Sequence, residues 1–274
     1  MYPTPTQPPV GTIPEAVVTP EVIRTLKAAG RKVCALTAYD YPMGRLLDES
    51  GIDLILVGDS LGMVVLGHPD TTSVTMEDIL HHTRAVARGV RRALLVADLP
   101  ARSYRTPQEA LENARRLLEA GARAVKLEGG VSVRPQIEAL TAAGIPVFAH
   151  IGMLPQSVHE EGGYKVKGRT EAEARALLDD ALAVQAAGAF GVVLEIVARD
   201  VAKHISEVLE IPTVGIASGP GCDGQILVTY DLIGLFPWFQ PKFVTPQAQV
   251  AGSIREAVGR FIEQTATAEG DEAR

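Results

Sequence analysis

Cysteine and aromatic side chains are scarce in this chain of 274 residues, which has two cysteines, one tryptophan and 5% aromatic residues. Cys34 and Cys222 lie far apart and lack the paired spacing of a zinc site or of a disulfide framework. Neither kind of cross-link is therefore predicted, and a reducing cytoplasm is the simplest location for the protein.

Long apolar runs and basic stretches are also missing. The longest apolar stretch, residues 54–66, is interrupted by Asp59 and is shorter than the roughly 20 residues of a membrane-spanning helix. The proline-rich start has no basic segment of the kind that opens a signal peptide. A net charge of −7 argues against nucleic-acid binding, which relies on a basic surface. We therefore expect small-molecule partners, no nucleic acid and no membrane.

A helical stretch, a glycine and an apolar strand follow one another five times along the chain. The glycine suits the left-handed conformation that commonly ends a helix. It occurs at Gly30, Gly51, Gly121, Gly144 and Gly188. This alternation predicts an α/β fold, a (β/α)8 barrel of the triosephosphate isomerase (TIM) type with an extra N-terminal helix.

Eight strands are predicted, at residues 33–37, 53–57, 93–97, 123–127, 145–149, 191–195, 211–215 and 226–230. The segment 217–225 is too short for an ordinary crossover helix, which leaves an open doubly wound sheet as an alternative. We expect residues 19–265 to form a single barrel domain, with 1–18 a flexible N-terminal arm and 266–274 a flexible tail.

Polar residues stand at the carboxyl ends of the predicted strands, where barrel active sites lie. Asp59 follows the second strand, Asp98 the third, and Lys126 and Glu128 the fourth. Because neighbouring strands are about 4.8 Å apart, the three carboxylates can converge on one cation. An oxygen-only set favours a hard ion, Mg²⁺ before Mn²⁺ or Ca²⁺.

The next two predicted strands end in His150 and Glu195, which are candidates for an acid and a base on the opposite wall. Structural interpretations remain open for each site residue. An Asp after a strand often caps a helix, and Lys126 could simply neutralise Glu128. His150 could be a hydrogen-bonded core histidine, and Glu195 could cap a helix predicted at 198–209.

A series of motifs follows in one order along the chain. They are Val57-Gly-Asp-Ser-Leu-Gly-Met63, Ala97-Asp-Leu-Pro100, Val125-Lys-Leu-Glu-Gly-Gly130, His150-Ile-Gly, Pro155-Gln-Ser-Val158, Gly162-Gly-Tyr-Lys-Val166, Leu194-Glu195 and Cys222-Asp-Gly-Gln225. From about residue 20 to residue 263 the chain resembles the 3-methyl-2-oxobutanoate hydroxymethyltransferase family, also called the ketopantoate hydroxymethyltransferases.

The resemblance implies a cytoplasmic transferase that moves a hydroxymethyl group from 5,10-methylenetetrahydrofolate to 3-methyl-2-oxobutanoate. The products are 2-dehydropantoate (ketopantoate) and tetrahydrofolate, on the pantothenate route to coenzyme A. It also implies Mg²⁺ and a homodecamer, with helices near residues 20–29 and 246–263 as candidate contacts between subunits.

By the same resemblance, Asp59 and Asp98 ligate Mg²⁺, and Glu128 completes or orients its shell. Asp59, Ser60, Asp98 and Lys126 contact the keto acid.

Glu195 is then the proton acceptor, His150 assists it or binds the new hydroxymethyl group, and Lys126 adds positive charge near the substrate. The chain departs from the family pattern at Ala101-Arg102, and we expect Arg102 to contact the glutamate tail of folate.

Two other functions remain open on the sequence. A lyase of the phosphoenolpyruvate and isocitrate lyase type could use a similar barrel and Mg²⁺, although such enzymes often carry a Lys-Lys-Cys-Gly-His loop that is absent here. A non-catalytic barrel subunit is the other alternative. Loss of any one acidic candidate would have favoured it, but Asp59, Asp98, Glu128 and Glu195 are all present.

Overall fold

The computed structural model describes residues 16–267. The predicted arm and tail fall largely on residues 1–15 and 268–274, which lie outside the described residues. Contacts within the chain divide it into two compact units, Met1–Ile226 and Leu227–Arg274. The single domain expected over 19–265 stays a prediction.

Eight parallel strands form a closed barrel in sequence order, which confirms the predicted fold and rules out the open sheet. The strands are β1 (Val33–Thr37), β2 (Leu54–Val57), β3 (Leu94–Asp98), β4 (Ala124–Glu128), β5 (Val147–Gly152), β6 (Gly191–Glu195), β7 (Thr213–Ile216) and β8 (Gly224–Leu227). The largest errors in the predicted bounds are at β5, which begins two and ends three residues later than expected, and at β8, which begins two and ends three residues earlier.

The connection from β7 to β8 shows how the barrel closes although the segment predicted at 217–225 is too short for a crossover helix. Residues 217–223 join the two strands without a helix. Each of these strands has only four residues, so the chain must return over only ~13 Å. An extended segment of this length can reach over 20 Å, so a loop is enough.

Ten α-helices are described among residues 16–267. They are α1 (Pro20–Ala28), α2 (Tyr41–Glu49), α3 (Leu61–Val64), α4 (Met76–Ala87), α5 (Pro107–Glu119), α6 (Arg134–Ala142), α7 (Glu171–Ala186), α8 (Arg199–Val208), α9 (Thr229–Leu232) and α10 (Val250–Thr267). Helix α1 precedes β1 and is the predicted extra N-terminal helix. Within this range every helix is too short or too polar to cross a lipid bilayer.

Threonine hydroxyls cap the starts of four of these helices. Each hydroxyl accepts a hydrogen bond from a backbone N–H of the first turn, and the residues are Thr19, Thr75, Thr106 and Thr170. At Thr75 and Thr170 an acidic side chain three residues later completes a reciprocal capping box. The caps set where the helices begin and therefore how long the preceding loops are.

The barrel interior is filled by alternate residues of the strands, such as Leu94 and Val96 of β3 and Phe148 of β5. The ring of Phe148 stacks on Phe190 with centroids 5.3 Å apart. Because side chains two apart share a face, the same face continues to the carboxyl end of each strand. Whatever stands there is directed toward the barrel axis.

Asp48 near the end of α2 ties this helix to the start of β3. Its buried carboxylate accepts hydrogen bonds from the backbone N–H groups of Arg91, Arg92 and Ala93 at 2.7–3.2 Å. Three backbone donors are thereby satisfied directly before β3, where the chain is not yet part of the strand ladder.

We expect Asp48→Asn to lower the free energy of unfolding by about 2–3 kcal/mol, because the amide nitrogen cannot accept and a buried N–H loses its partner. Urea unfolding at a fixed protein concentration measures the loss. The matched control is Asp179→Asn on α7, whose side chain is exposed. Equal unfolding midpoints for the two variants would contradict the assignment.

Candidate active site

The inward faces of β3 to β6 change from apolar to ionisable at their carboxyl ends. Asp98 follows Val96 on β3, Lys126 and Glu128 follow Ala124 on β4, and the next strands end in His150 and Glu195. We call these side chains, together with Asp59 after β2, the charged row.

Asp98 and Lys126 form a buried ion pair in the charged row, with 0% and 4% exposure. The strand register places them directly opposite each other. The Lys126 ammonium donates to both carboxylate oxygens of Asp98, at 2.8 and 2.7 Å, and lies 3.7 Å from Oε1 of Glu128. Burial lowers the pKa of Lys126, but the surrounding carboxylates outweigh it and hold that pKa above its usual range. The lysine is therefore a fixed positive charge.

Asp59 lies beside this pair and carries negative charge that the lysine does not fully balance. Its backbone N–H donates to Oδ2 of Asp98 at 3.3 Å. Burial and the charge of Asp98 raise the pKa of Asp59 well above its usual range, and burial raises the pKa of Asp98 as well. Such a cluster favours a further cation or a proton.

His150 bridges the two glutamates of the charged row. Its Nδ1 is 3.2 Å from Oε1 of Glu128, and its Nε2 is 3.3 Å from Oε2 of Glu195. Burial lowers the pKa of His150, but the Glu128 carboxylate outweighs it and raises the pKa to about 9. Within residues 16–267, Oε1 of Glu128 and both imidazole nitrogens lack a partner at hydrogen-bond geometry. The contacts of His150 with Glu128 and Glu195 are therefore electrostatic.

Glu195 is the accessible end of the row, since 16% of its side chain is exposed. The structural interpretation of Glu195 as a helix cap is wrong, because the N-cap of α8 is Ala198 and no side chain caps that helix. Ser60 stands at the other end, directly before α3, and its hydroxyl is 2.8 Å from that of the buried Tyr39.

Gln156 is a residue of the site that reasoning from strand ends missed. Its side-chain amide donates to Oδ2 of Asp59 at 2.9 Å, and its backbone N–H donates to Oε2 of Glu128 at 3.1 Å. The hydroxyl of Tyr104 donates to Oε1 of Gln156 at 2.6 Å and fixes which way the amide points. The available signal was the motif Pro155-Gln-Ser-Val158, which forms a short 3-10 helix after β5 and does not lie on a strand.

A model of the family described as ketopantoate hydroxymethyltransferase matches residues 17–269. The chain belongs to this family. Curated relatives named 3-methyl-2-oxobutanoate hydroxymethyltransferase include one from Syntrophus aciditrophicus (strain SB), 52% identical over 90% of this chain and 92% of the relative. Another, from Ignicoccus hospitalis, is 51% identical over 88% of this chain and 91% of the relative.

Several solved structures have a similar fold. A phosphonopyruvate hydrolase in complex with oxalate and Mg²⁺ has a TM-score of 0.63 and 16% identity, over 92% of this chain and 89% of that one. A 2,3-dimethylmalate lyase, described as a PEP mutase/isocitrate lyase superfamily member, has a TM-score of 0.62 and 17% identity, over 94% and 92%. At such identities the likeness concerns the fold alone.

The structure brings all residues of the predicted site together, but the three carboxylates do not form a cage. Among residues 16–267 no group of three or more His, Cys, Asp or Glu side chains is arranged to hold a metal ion. The reason is the Lys126 ammonium, which lies between Asp98 and Glu128, while Glu128 also contacts His150. For this family member, the ligand set Asp59, Asp98 and Glu128 stays a prediction.

We expect Lys126→Met to lower the free energy of unfolding by about 3 kcal/mol at pH 8, because it leaves buried carboxylates without a countercharge. Loss of Lys126 raises the folded-state pKa of Asp98, which burial already holds above its usual range, and removes one of the charges that lower the pKa of Glu128. At low pH these carboxyl groups are protonated and the variant keeps its stability. As the pH rises they must ionise without a countercharge, and the variant loses stability. The deficit should therefore be smaller at pH 5 than at pH 8.

Urea unfolding at the two pH values measures this difference. Lys203→Met is the matched control, because Lys203 is exposed on α8 and its loss should change stability by less than about 0.5 kcal/mol. A deficit of the same size at both pH values would show that Lys126 contributes through packing and not through its charge.

Proposed function

We propose that this chain transfers a hydroxymethyl group from 5,10-methylenetetrahydrofolate to 3-methyl-2-oxobutanoate, giving 2-dehydropantoate and tetrahydrofolate. The reaction would serve pantothenate and coenzyme A biosynthesis in the cytoplasm. The observation that carries the proposal is the charged row at the barrel mouth, in a chain about half identical to relatives named for this activity.

The keto acid must lose its C3 proton before it can form a new carbon–carbon bond. When the C3–H bond breaks, the electron pair moves onto the carbonyl oxygen at C2. A preorganised positive charge stabilises that oxygen more in the enolate than in the ketone. Lys126 supplies such a charge in a buried setting, where it needs no reorganisation. Asp59, Ser60 and Asp98 would contact the keto acid.

Glu195 would take the C3 proton, since it is the accessible carboxylate of the row and lies away from Lys126. His150 holds the Glu195 carboxylate from one side at 3.3 Å, and Glu128 holds the other imidazole nitrogen at 3.2 Å. C3 then attacks the one-carbon unit and the carbon–carbon bond forms. The bond between the one-carbon unit and the folate nitrogen breaks, water provides the hydroxyl group and its other proton goes to the nitrogen, and tetrahydrofolate leaves. His150 would assist Glu195 or bind the new hydroxymethyl group.

Asp59 and Asp98 are the residues best suited to hold Mg²⁺, with Glu128 completing or orienting the shell. The two carboxylates end neighbouring strands, and both are buried beside further negative charge. Mg²⁺ sites commonly use one or two protein carboxylates with water and substrate as remaining ligands, so a three-carboxylate cage is not required. The bound ion would add positive charge for the substrate oxygens.

Exchange of the C3 proton of 3-methyl-2-oxobutanoate in D₂O, followed by NMR, tests the proposed role of Glu195. We expect Mg²⁺-dependent exchange by the wild type and a loss of at least about 100-fold in Glu195→Gln, the usual size of a general-base contribution. The matched control Glu207→Gln, at an exposed position of α8, should exchange normally. No exchange by the wild type, with Mg²⁺ and folate present, would refute the proposed function.

A homo-oligomer, a homodecamer by family resemblance, is the assembly we propose. Helix α10 overlaps the predicted contact segment 246–263 and carries exposed apolar side chains on one face. They are Ile254, Val258, Phe261 and Ile262. Their spacing is that of a helix face that packs against a partner.

We expect Phe261→Glu to lower the molar mass measured by light scattering after size exclusion, because Phe261 is 68% exposed in the isolated chain and a charge there opposes apolar packing. Arg175→Glu, at an exposed position of α7, is the control for charge alone. A wild type of monomeric mass would contradict the proposed assembly.

A further inference from the structure

A cavity of about 420 Å³ lies at the carboxyl-terminal face of the barrel, next to the charged row. Its lining comes from loops that follow β2, β3 and β5, and from the start of α6. The main lining side chains are Arg102, Tyr104, Arg105, Gln136, Gln156 and His159. Loops at this face form the ligand sites of barrel enzymes.

Gln156 and Tyr104 form the wall between this cavity and the charged row. Gln156 lines the cavity and donates to Asp59, while Tyr104 lines it and donates to Gln156. The Tyr104 hydroxyl also lies 3.4 Å from the backbone of Glu128. A ligand in the cavity would therefore lie one side chain away from the proposed metal and keto acid positions.

The cavity differs from the charged row in the sign of its charge. Arg102 and Arg105 both line it, and within residues 16–267 neither guanidinium forms an ion pair. Nε2 of His159 lies 2.8 Å from Oδ2 of Asp70, and Glu160 is the acidic side chain of the lining. The two arginines therefore give the cavity its capacity for an anion.

Arg102 has an uncommon backbone conformation and makes one hydrogen bond across the cavity. It has a φ of 68°, in the left-handed region that non-glycine residues rarely adopt. Its guanidinium donates to the carbonyl oxygen of Thr72 at 3.0 Å, from the loop after β2. The remaining N–H groups of the guanidinium are free to bind a carboxylate.

We propose that this cavity binds the glutamate carboxylates of the folate co-substrate, through Arg102 and Arg105. The inference rests on the proposed function. A folate carries its one-carbon unit at the pterin end and its carboxylates at the glutamate end. The carboxylates of the charged row repel an anionic tail, whereas two unpaired guanidinium groups attract it. The tail lies in the cavity and the pterin end points toward the row.

Binding of tetrahydrofolate, compared with tetrahydropteroate, which lacks the glutamate, tests the proposal by calorimetry. Arg102→Ala and Arg105→Ala should each weaken tetrahydrofolate binding about 5-fold to 10-fold, the size expected for partly screened charge-assisted contacts. Tetrahydropteroate should bind all variants within about twofold, and Arg115→Ala on the exposed side of α5 serves as the matched control. Raised salt should weaken tetrahydrofolate binding more than tetrahydropteroate binding.

The proposal would be overturned if the variants bound tetrahydrofolate and tetrahydropteroate equally more weakly than the wild type does. An unchanged affinity for tetrahydrofolate in the variant that combines Arg102→Ala and Arg105→Ala would also overturn it. A raised KM for the keto acid in C3 exchange would also overturn it, because the arginines would then bind the keto acid carboxylate. The exchange assay separates this failure from that of the proposed function. If the wild type exchanges the C3 proton but the arginine variants bind tetrahydrofolate with unchanged affinity, the proposed function stands. Only the proposed binding of the glutamate carboxylates in the cavity is then refuted.

Discussion

The ion pair between Asp98 and Lys126 is the interaction on which the rest of the site depends. An ammonium group that is almost wholly buried cannot remain charged without carboxylates around it, and buried carboxylates cannot remain ionised without a cation. The register of β3 and β4 provides this match by setting the two residues opposite each other. Glu128 and Asp59 then lie within reach of the same positive charge, and His150 connects Glu128 to Glu195.

The backbone around Glu195 is constrained as closely as the charged side chains. Gly152 at the end of β5 has a φ of 101°, and a Cβ there would lie 2.4 Å from the carbonyl oxygen of Glu195. The next N–H along the chain, that of Met153, donates to the same oxygen at 2.8 Å. Only glycine allows β5 and β6 to approach so closely. Glu195 is thereby held next to His150 while its carboxylate faces the barrel mouth.

The comparison of fold and sequence separates the two alternatives that the motifs left open. The lyases and hydrolases of similar fold share less than a fifth of their residues with this chain, so they support the barrel and leave the reaction undecided. The family match over residues 17–269 favours hydroxymethyl transfer over carbon–carbon cleavage. A non-catalytic subunit would have no need to keep an uncompensated cluster of buried carboxylates, which costs stability.

The sequence by itself determined the alternation of helices and strands, the helix caps and the face on which Lys126 and Glu128 lie. These features are local, since they follow from periods of 3.6 and 2.0 residues and from side chains that bond within one turn. Only the tertiary structure decided that Lys126 separates Asp98 from Glu128, that Gln156 reaches Asp59, and that two arginines share a cavity. Those contacts join residues from different loops and strands, and their distances depend on barrel closure and register, which no local pattern contains.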